Sequence, residues 1–303
     1  MLRIDVHAHL HERDLLDKMT SLGGTFGGGA GARGAGLPLD GRVEMLQGAG
    51  VDVQMLCQGG NQPYFAPRDK AIEGARFAND YARNVMERYR GQFSCFGCVP
   101  LPHVDAAITE AGRCLDELRY PGIVVGCSIS GRPLDDPEFD PFWAELDRRG
   151  TVLFVHPQGV GGPYQDEFGL EWLVGAPFED TVTALRLVRS GLTSRFPNLK
   201  FIIAHLGGTL PYVWQRLESS AGNRTLPAGS STLTEGLKRL YYDTVNRTPG
   251  ALNLICRHIG SSQVMMGTDF PYVIPERYVD DVTVVQESGL PSEDVTAIPV
   301  SYT

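Results

Sequence analysis

Ile4-Asp5-Val6-His7-Ala8-His9, close to the start of the chain, alternates apolar and polar residues without interruption. Side chains in a strand switch faces at every residue. Ile4, Val6 and Ala8 therefore share one face, and Asp5, His7 and His9 the other. The two histidines project side by side where the chain leaves the strand. Neutral imidazoles held together on rigid backbone can bind a divalent metal ion. Taken alone, the pair describes hydrogen-bonded or surface histidines equally well, so any metal site needs further ligands from elsewhere.

The 303 residues are 42% hydrophobic and 21% charged, an ordinary balance for a globular protein, and are expected to form one domain over 1–303. A net charge of −9 argues against nucleic acid or an acidic membrane surface as partner. It leaves open an anionic small molecule, because a site's local field can oppose the global charge. No apolar run approaches the roughly 18 residues of a membrane span, and the N-terminus lacks the basic and cleavage-like features of a secretory signal. Six cysteines in a chain of this length are too sparse for a disulfide framework. Cys95 and Cys98 form a Cys-x-x-Cys, but within a strand-like segment positions three apart face opposite sides, so no metal or redox pair is expected. The expectation is a reduced, cytoplasmic protein.

Residues 10–41 show no clear periodicity. Within them, Gly29-Ala-Gly31-Ala-Arg-Gly34 matches a dinucleotide fingerprint by letters but neither directly follows a strand nor opens a helix. The glycine-rich stretch 23–36 is read instead as a long loop after strand one, placed to act as a lid. From residue 42 a rhythm sets in. Strands are expected at 51–57, 93–99, 122–127, 151–155, 199–204, 240–243 and 263–268. Helices are expected at 42–49, 69–90, 105–119, 137–149, 178–195, 211–220, 233–239 and 249–259. Alternating strands and helices imply parallel strands with helical crossovers. With strand one this makes eight units in roughly 270 residues, which fits a closed (β/α)8 TIM barrel better than an open doubly wound sheet.

In such a barrel the C-terminal strand ends meet around one mouth. Strand one ends in His7 and His9, strand five in Val-Leu-Phe-Val-His156, strand six in Phe-Ile-Ile-Ala-His205, and strand eight in Val-Met-Met-Gly-Thr-Asp269. Each of these has an ordinary turn or hydrogen-bonding role available to it; five at matching positions call for a common cause. His11, His103 and His258 fall in loop or helix and receive no role. Three imidazoles and a carboxylate suit a borderline ion such as zinc with a position left open. His7, His9, His156 and Asp269 are the expected ligands, and His205 is kept for acid–base or water-orienting work. Strand four offers Val124-Val-Gly-Cys127-Ser and no bridging lysine, so one metal is expected rather than two.

These motifs, together with Trp172-Leu-Val-Gly-Ala-Pro and Arg195-Phe-Pro-Asn-Leu-Lys, resemble the amidohydrolase superfamily over residues 3 to about 290. Within it they are most similar to the branch of aminocarboxymuconate-semialdehyde decarboxylase. The resemblance implies a mononuclear, metal-dependent carboxy-lyase acting on a small aromatic or muconate-type carboxylic acid. It implies His7, His9, His156 and Asp269 as metal ligands, His205 and Asp269 in the proton chemistry, Arg42 on a substrate carboxylate and Trp172 lining the pocket. Relatives with glutamate in place of the first histidine use manganese; histidine at both positions here favours zinc. Lactonases and hydratases of the same branch keep hydrolysis or hydration as the alternative, and a non-catalytic metal-binding barrel is a third reading. Relatives form dimers and carry a further C-terminal helix. Here Pro299 interrupts that further helix, which would follow 292–298, before Thr303, and this departure bears on stability and on the homodimer surface that the resemblance implies.

Overall fold

The eight strands run in chain order around one sheet: β1 Ile4–His9, β2 Val53–Cys57, β3 Phe93–Gly97, β4 Gly122–Gly126, β5 Val152–His156, β6 Lys200–Ile203, β7 Tyr241–Asp243 and β8 Val264–Met265. Every neighbouring pair is parallel. The last strand returns to the first through backbone bonds from Val6 N to Met266 O (2.9 Å), Asp269 N to His7 O (2.8 Å) and His9 N to Phe270 O (2.7 Å). This is the (β/α)8 TIM barrel that the strand–helix alternation predicts. The computed structural model describes residues 2–24, 37–160, 164–165, 167–219 and 232–298. The lid expected from the glycine-rich stretch falls mostly outside them.

The barrel strands read as apolar runs because both of their faces are covered. In β5, Leu153, Phe154 and Val155 are all fully buried, between helices outside and side chains filling the barrel within. The outer layer begins with α1 Arg13–Ser21, α2 Leu39–Gly48, α3 Arg68–Arg88, α4 Val104–Gly112, α5 Asp140–Arg149 and α6 Ala176–Arg189. It continues with α7 Leu192–Arg195, α8 Leu210–Ser219, α9 Leu233–Leu237, α10 Pro249–Ile259, α11 Tyr278–Thr283 and α12 Ser292–Ala297. Helix α3 shows how the packing is specified: Ala71, Ala75, Ala78, Ala82 and Val85 recur at helical spacing and are all buried, giving one apolar stripe toward the sheet. Helix α5 stops where Gly150 takes the left-handed conformation (φ 65°), which glycine adopts without steric cost.

Three segments depart from the periodicity reading. Helix α1 occupies part of the stretch that looked aperiodic; nine residues supply only two buried anchors, Leu15 and Met19, too few to register as a repeat. The helix expected at 105–119 becomes a π-helical turn after Gly112. The one expected at 178–195 begins at Ala176 and breaks at Gly191 (φ 76°). All six cysteines are free and buried. Among the described residues no helix is long and apolar enough to cross a membrane.

The polar face of β1 points into the barrel, and its deepest member, Asp5, is fully buried. Its carboxylate accepts bonds from Gln54 Nε2 (2.6 Å), Thr268 Oγ1 (2.7 Å), Tyr278 OH (2.8 Å), Thr268 N (3.1 Å) and His7 N (3.2 Å). Gln54 in turn accepts from Arg42 Nε at 2.6 Å. Asp5 thus joins β1, β2, the chain beyond β8 and α11. Its removal would leave the buried donors of Gln54, Thr268 and Tyr278 without their acceptor and take from the Arg42 guanidinium the carboxylate charge nearby, and such losses in a buried network cost about 3–5 kcal/mol. Asp5→Ala should lower unfolding free energy by that amount in denaturant titration, whereas a change below about 0.5 kcal/mol, typical of uninvolved surface positions, would show that Asp5 is not the tie.

Candidate metal and active site

Above Asp5 the side chains of His7 and His9 are fully buried, and the rest of the strand-end set closes on them. His7 Nε2 lies 3.1 Å from Asp269 Oδ1 and 3.3 Å from His9 Nε2, and His9 Nε2 lies 2.8 Å from the same Asp269 oxygen. His7, His156, His205 and Asp269 each offer a ligand atom within 4.8 Å of the others. The five residues that the sequence places at strand ends therefore converge. His205 belongs to the same cluster, and its Nε2 is 3.7 Å from Asp269 Oδ2.

Two of the five sit on backbone that only a fixed surrounding would hold. Asp269 and His205 have φ of 63° and 52°, a region uncommon outside glycine and concentrated at functional sites. Both follow their strands by a sharp turn that aims the side chain across the mouth. They are also the open members of the set: their side chains are 17% (His205) and 14% (Asp269) exposed, against 0% for His7 and His9.

Each imidazole is oriented by a partner on its other nitrogen. His7 Nδ1 meets Asp243 Oδ2 at 2.6 Å, His156 Nδ1 meets the Pro157 carbonyl at 2.8 Å, and His205 Nδ1 meets Asp180 Oδ2 at 2.9 Å. His9 Nδ1 faces the Cys57 thiol at 3.8 Å. Such outer partners fix which nitrogen points inward, as they do around metal-bound histidines. Burial alone would lower the pKa of His7, but the charges of Asp243 and Asp269 outweigh it and raise it to about 9. Burial likewise opposes the His205 charge, and Asp180 and Asp269 override it, holding its pKa well above the usual histidine value. His156, buried and facing the other histidines, is held well below that value.

His156 Nε2 is the observation that tests a metal ion here. It is buried, has no hydrogen-bond partner, and belongs to the converging group. A neutral imidazole nitrogen left unpartnered inside a protein is costly, and a cation held by imidazoles and a carboxylate supplies what it lacks. The donor set fits a divalent ion.

Gly59 makes the close packing possible. A Cβ there would stand 2.7 Å from His156 Cγ and 2.8 Å from His9 Cε1. Trp172 lies beside the cluster, with its ring against Gly60 and Gly159; a Cβ on Gly60 would sit 3.2 Å from Trp172 Cη2 and 3.9 Å from His156 Cε1.

Arg42 occupies a different place. It is buried beneath the cluster, with Nε on Gln54 and Nη1 on the His9 carbonyl (2.8 Å), and its guanidinium lies 4.7 Å above the Phe270 ring. Burial lowers its pKa to about 10. Only Nη2 is left without a partner, so a two-pronged grip on a substrate carboxylate is not available in this arrangement.

Three residues of the site lie outside the sequence-based set. Asp243 ends β7 just as His156 ends β5, so its position on the strand was the available signal. His11 extends the alternation of His7 and His9; it is buried, its ring is 5.4 Å from both His9 and Tyr272, and its Nε2 is 3.3 Å from Asn61 Nδ2. Asp180 lies within α6, where one acid among several carries no mark of its role. His103 and His258, given no role, have structural partners: the Phe65 carbonyl at 3.0 Å and a stacking contact with Trp214 at 5.0 Å.

A barrel whose strand ends deliver this His/Asp set defines a class, and comparison with known proteins agrees. The family profile described as amidohydrolase matches residues 4–298, and the chain belongs to that family, in its amidohydrolase-2 branch of decarboxylases. It is 31% identical over 245 residues to 2-amino-3-carboxymuconate-6-semialdehyde decarboxylase of Dictyostelium discoideum, covering 78% of this chain and 67% of that one. It is 31% identical over 257 residues to gamma-resorcylate decarboxylase of Rhizobium radiobacter, covering 77% and 76%. Among solved structures, dihydroxybenzoic acid decarboxylase of a Polaromonas species, with bound manganese and the inhibitor 2-nitroresorcinol, superposes with a TM-score of 0.79 at 22% identity, over 98% of this chain and 94% of that one.

The contact at Gly59 gives a direct test of the cluster as a metal site. Gly59→Ala should weaken binding of a divalent ion by about tenfold to a hundredfold, the range seen when groups that orient metal ligands are disturbed. Gly48→Ala, where a Cβ meets nothing within 4 Å, serves as control, with bound metal measured by titration against a chelating indicator. Equal affinity in the two variants would place the ion elsewhere.

Proposed function

We propose that this chain is a metal-dependent, non-oxidative decarboxylase of a small carboxylic acid. The observation that carries the reading is the unpartnered, buried His156 Nε2 within a cluster of imidazoles and one carboxylate at the barrel mouth. The named activities of the relatives support the reaction class.

His7, His9, His156 and Asp269 would hold one divalent ion; two histidines on β1 favour zinc, with manganese the alternative. The bound ion supplies Lewis acidity that orients and polarises an oxygen substituent of the substrate. His205 and Asp269 do the proton work, since they are the members of the cluster that reach the open side. Asp180 fixes the His205 ring and favours its protonated form, which makes Nε2 a proton store facing the substrate. Delivery of that proton to the carbon bearing the carboxylate forms the new C–H bond. The C–C bond then breaks, its electron pair returns to the unsaturated skeleton, and carbon dioxide leaves as a neutral molecule. Trp172 would form a wall of the pocket, and Arg42 would hold the end of β1, and with it His9, through the His9 carbonyl.

His205→Gln keeps a polar side chain of similar reach but cannot cycle a proton. Loss of a positioned acid–base group costs about 10²–10⁴-fold in rate. Turnover should fall by that factor while metal stays at one ion per chain by elemental analysis. Loss of the ion together with activity would make His205 a ligand and require another proton donor.

A further inference from the structure

Beside the cluster lies a cavity of about 260 Å³ lined by Gly60, Asn61, Gln62, Tyr64, Ser128 and Gln158 among others. It borders the cluster at Gly60. Gly60 lines it and also approaches the His156 ring, and Gln158 is two residues beyond His156. The lining mixes these polar groups with Met19, Phe65 and Val160 and contains no charged side chain among the described residues.

Its polar groups are unusually idle. Gln62 is 7% exposed, and both its amide nitrogen and its amide oxygen are buried without a partner. Ser128 Oγ and Gln158 Nε2 are in the same condition. Tyr64 OH accepts from Gly126 N at 3.0 Å, which leaves its own proton to donate. Buried polar atoms are almost always paired in folded proteins, so four unpaired atoms around one cavity ask for a ligand that both donates and accepts. A carboxylate holds the backbone after β5: Glu179 accepts from Gln158 N at 2.8 Å and from Val160 N at 2.7 Å. An anionic group entering there would lose its hydration and find no cationic side chain in the described lining to offset the loss.

We infer that Gln62, with Ser128 and Gln158, forms a neutral hydrogen-bonding subsite that selects the second substituent of the substrate, accepting an uncharged donor–acceptor group such as a hydroxyl and refusing a second carboxylate. The inference rests on the decarboxylase reading and sharpens it, because it separates hydroxylated monoacids from diacids. Gln62 is the specificity-determining residue, since its amide can donate to and accept from one hydroxyl at once. Sites built to hydrogen-bond a substrate group reject analogues lacking it far more strongly than apolar pockets reject a missing methylene.

The test uses the metal-loaded full chain and a panel of benzoates bearing hydrogen, hydroxyl or carboxylate at each ring position. Binding is measured by calorimetry and carbon dioxide release separately. For at least one ring position the wild-type chain should bind the hydroxyl acid about tenfold or more tightly than the unsubstituted acid, with the diacid weakest. Gln62→Leu should collapse the hydroxyl preference. Gln62→Lys should raise diacid binding about tenfold, the effect of supplying the missing cation, and a misfolded variant cannot imitate that gain. Equal loss across the panel in Gln62→Leu, no diacid gain in Gln62→Lys, or a wild-type preference for the diacid would overturn the subsite. The expected binding order without carbon dioxide release would leave the subsite standing and defeat the decarboxylase reading instead.

Discussion

The polar face of the first strand points into a barrel where no water meets it, and the rest of the site follows from that constraint. Asp5, His7 and His9 each carry groups that are costly to bury unpaired. Their partners are drawn from around the barrel: Gln54 on β2, Asp243 on β7, and Thr268, Asp269 and Tyr278 from the chain beyond β8. These bonds draw the two ends of the described chain together and fix the histidines before any ligand arrives. A site held this way has little freedom to relax, which is what a metal centre and an oriented substrate both require.

Rigidity and openness are divided between parts of the cluster. His7, His9 and His156 sit on strands and are shut away from solvent. His205 and Asp269 follow their strands on left-handed backbone and reach the open side. Strained positive-φ residues persist only where the surroundings over-determine them; here Asp269 N is bonded to the His7 carbonyl and the His205 ring to Asp180. The division matches the proposed roles: His7, His9 and His156 only hold the ion, His205 exchanges protons, and Asp269 does both.

The barrel was legible because parallel strands covered on both faces leave apolar runs, and because a polar residue stands at or just after the C-terminal end of several of them. His156 ends such a run in β5, and His205 and Asp269 follow β6 and β8 within a few residues, so position alone drew them together. Asp243 had the same mark, but β7 is only three residues long and its tyrosines blurred the pattern. Asp180 had none, since a helical acid reveals its partner only in three dimensions. Arg42 shows the converse: the resemblance implies a substrate contact, while packing gives its guanidinium to Gln54 and the His9 carbonyl. The idle atoms of Gln62 and Ser128 were invisible in sequence for the same reason, because lack of a partner is a property of the folded chain.

On the proposed reading this barrel binds one divalent ion and uses it to release a carboxyl group. The direct measurement is carbon dioxide release from an acid labelled with 13C at its carboxyl carbon, using metal-loaded protein, chelator-stripped protein, and stripped protein resupplied with one equivalent of zinc or manganese. On that reading labelled carbon dioxide should come from the loaded protein, disappear on stripping, and return at one ion per chain. Release that survives complete stripping, or a label retained in a hydrated or hydrolysed product, would contradict it.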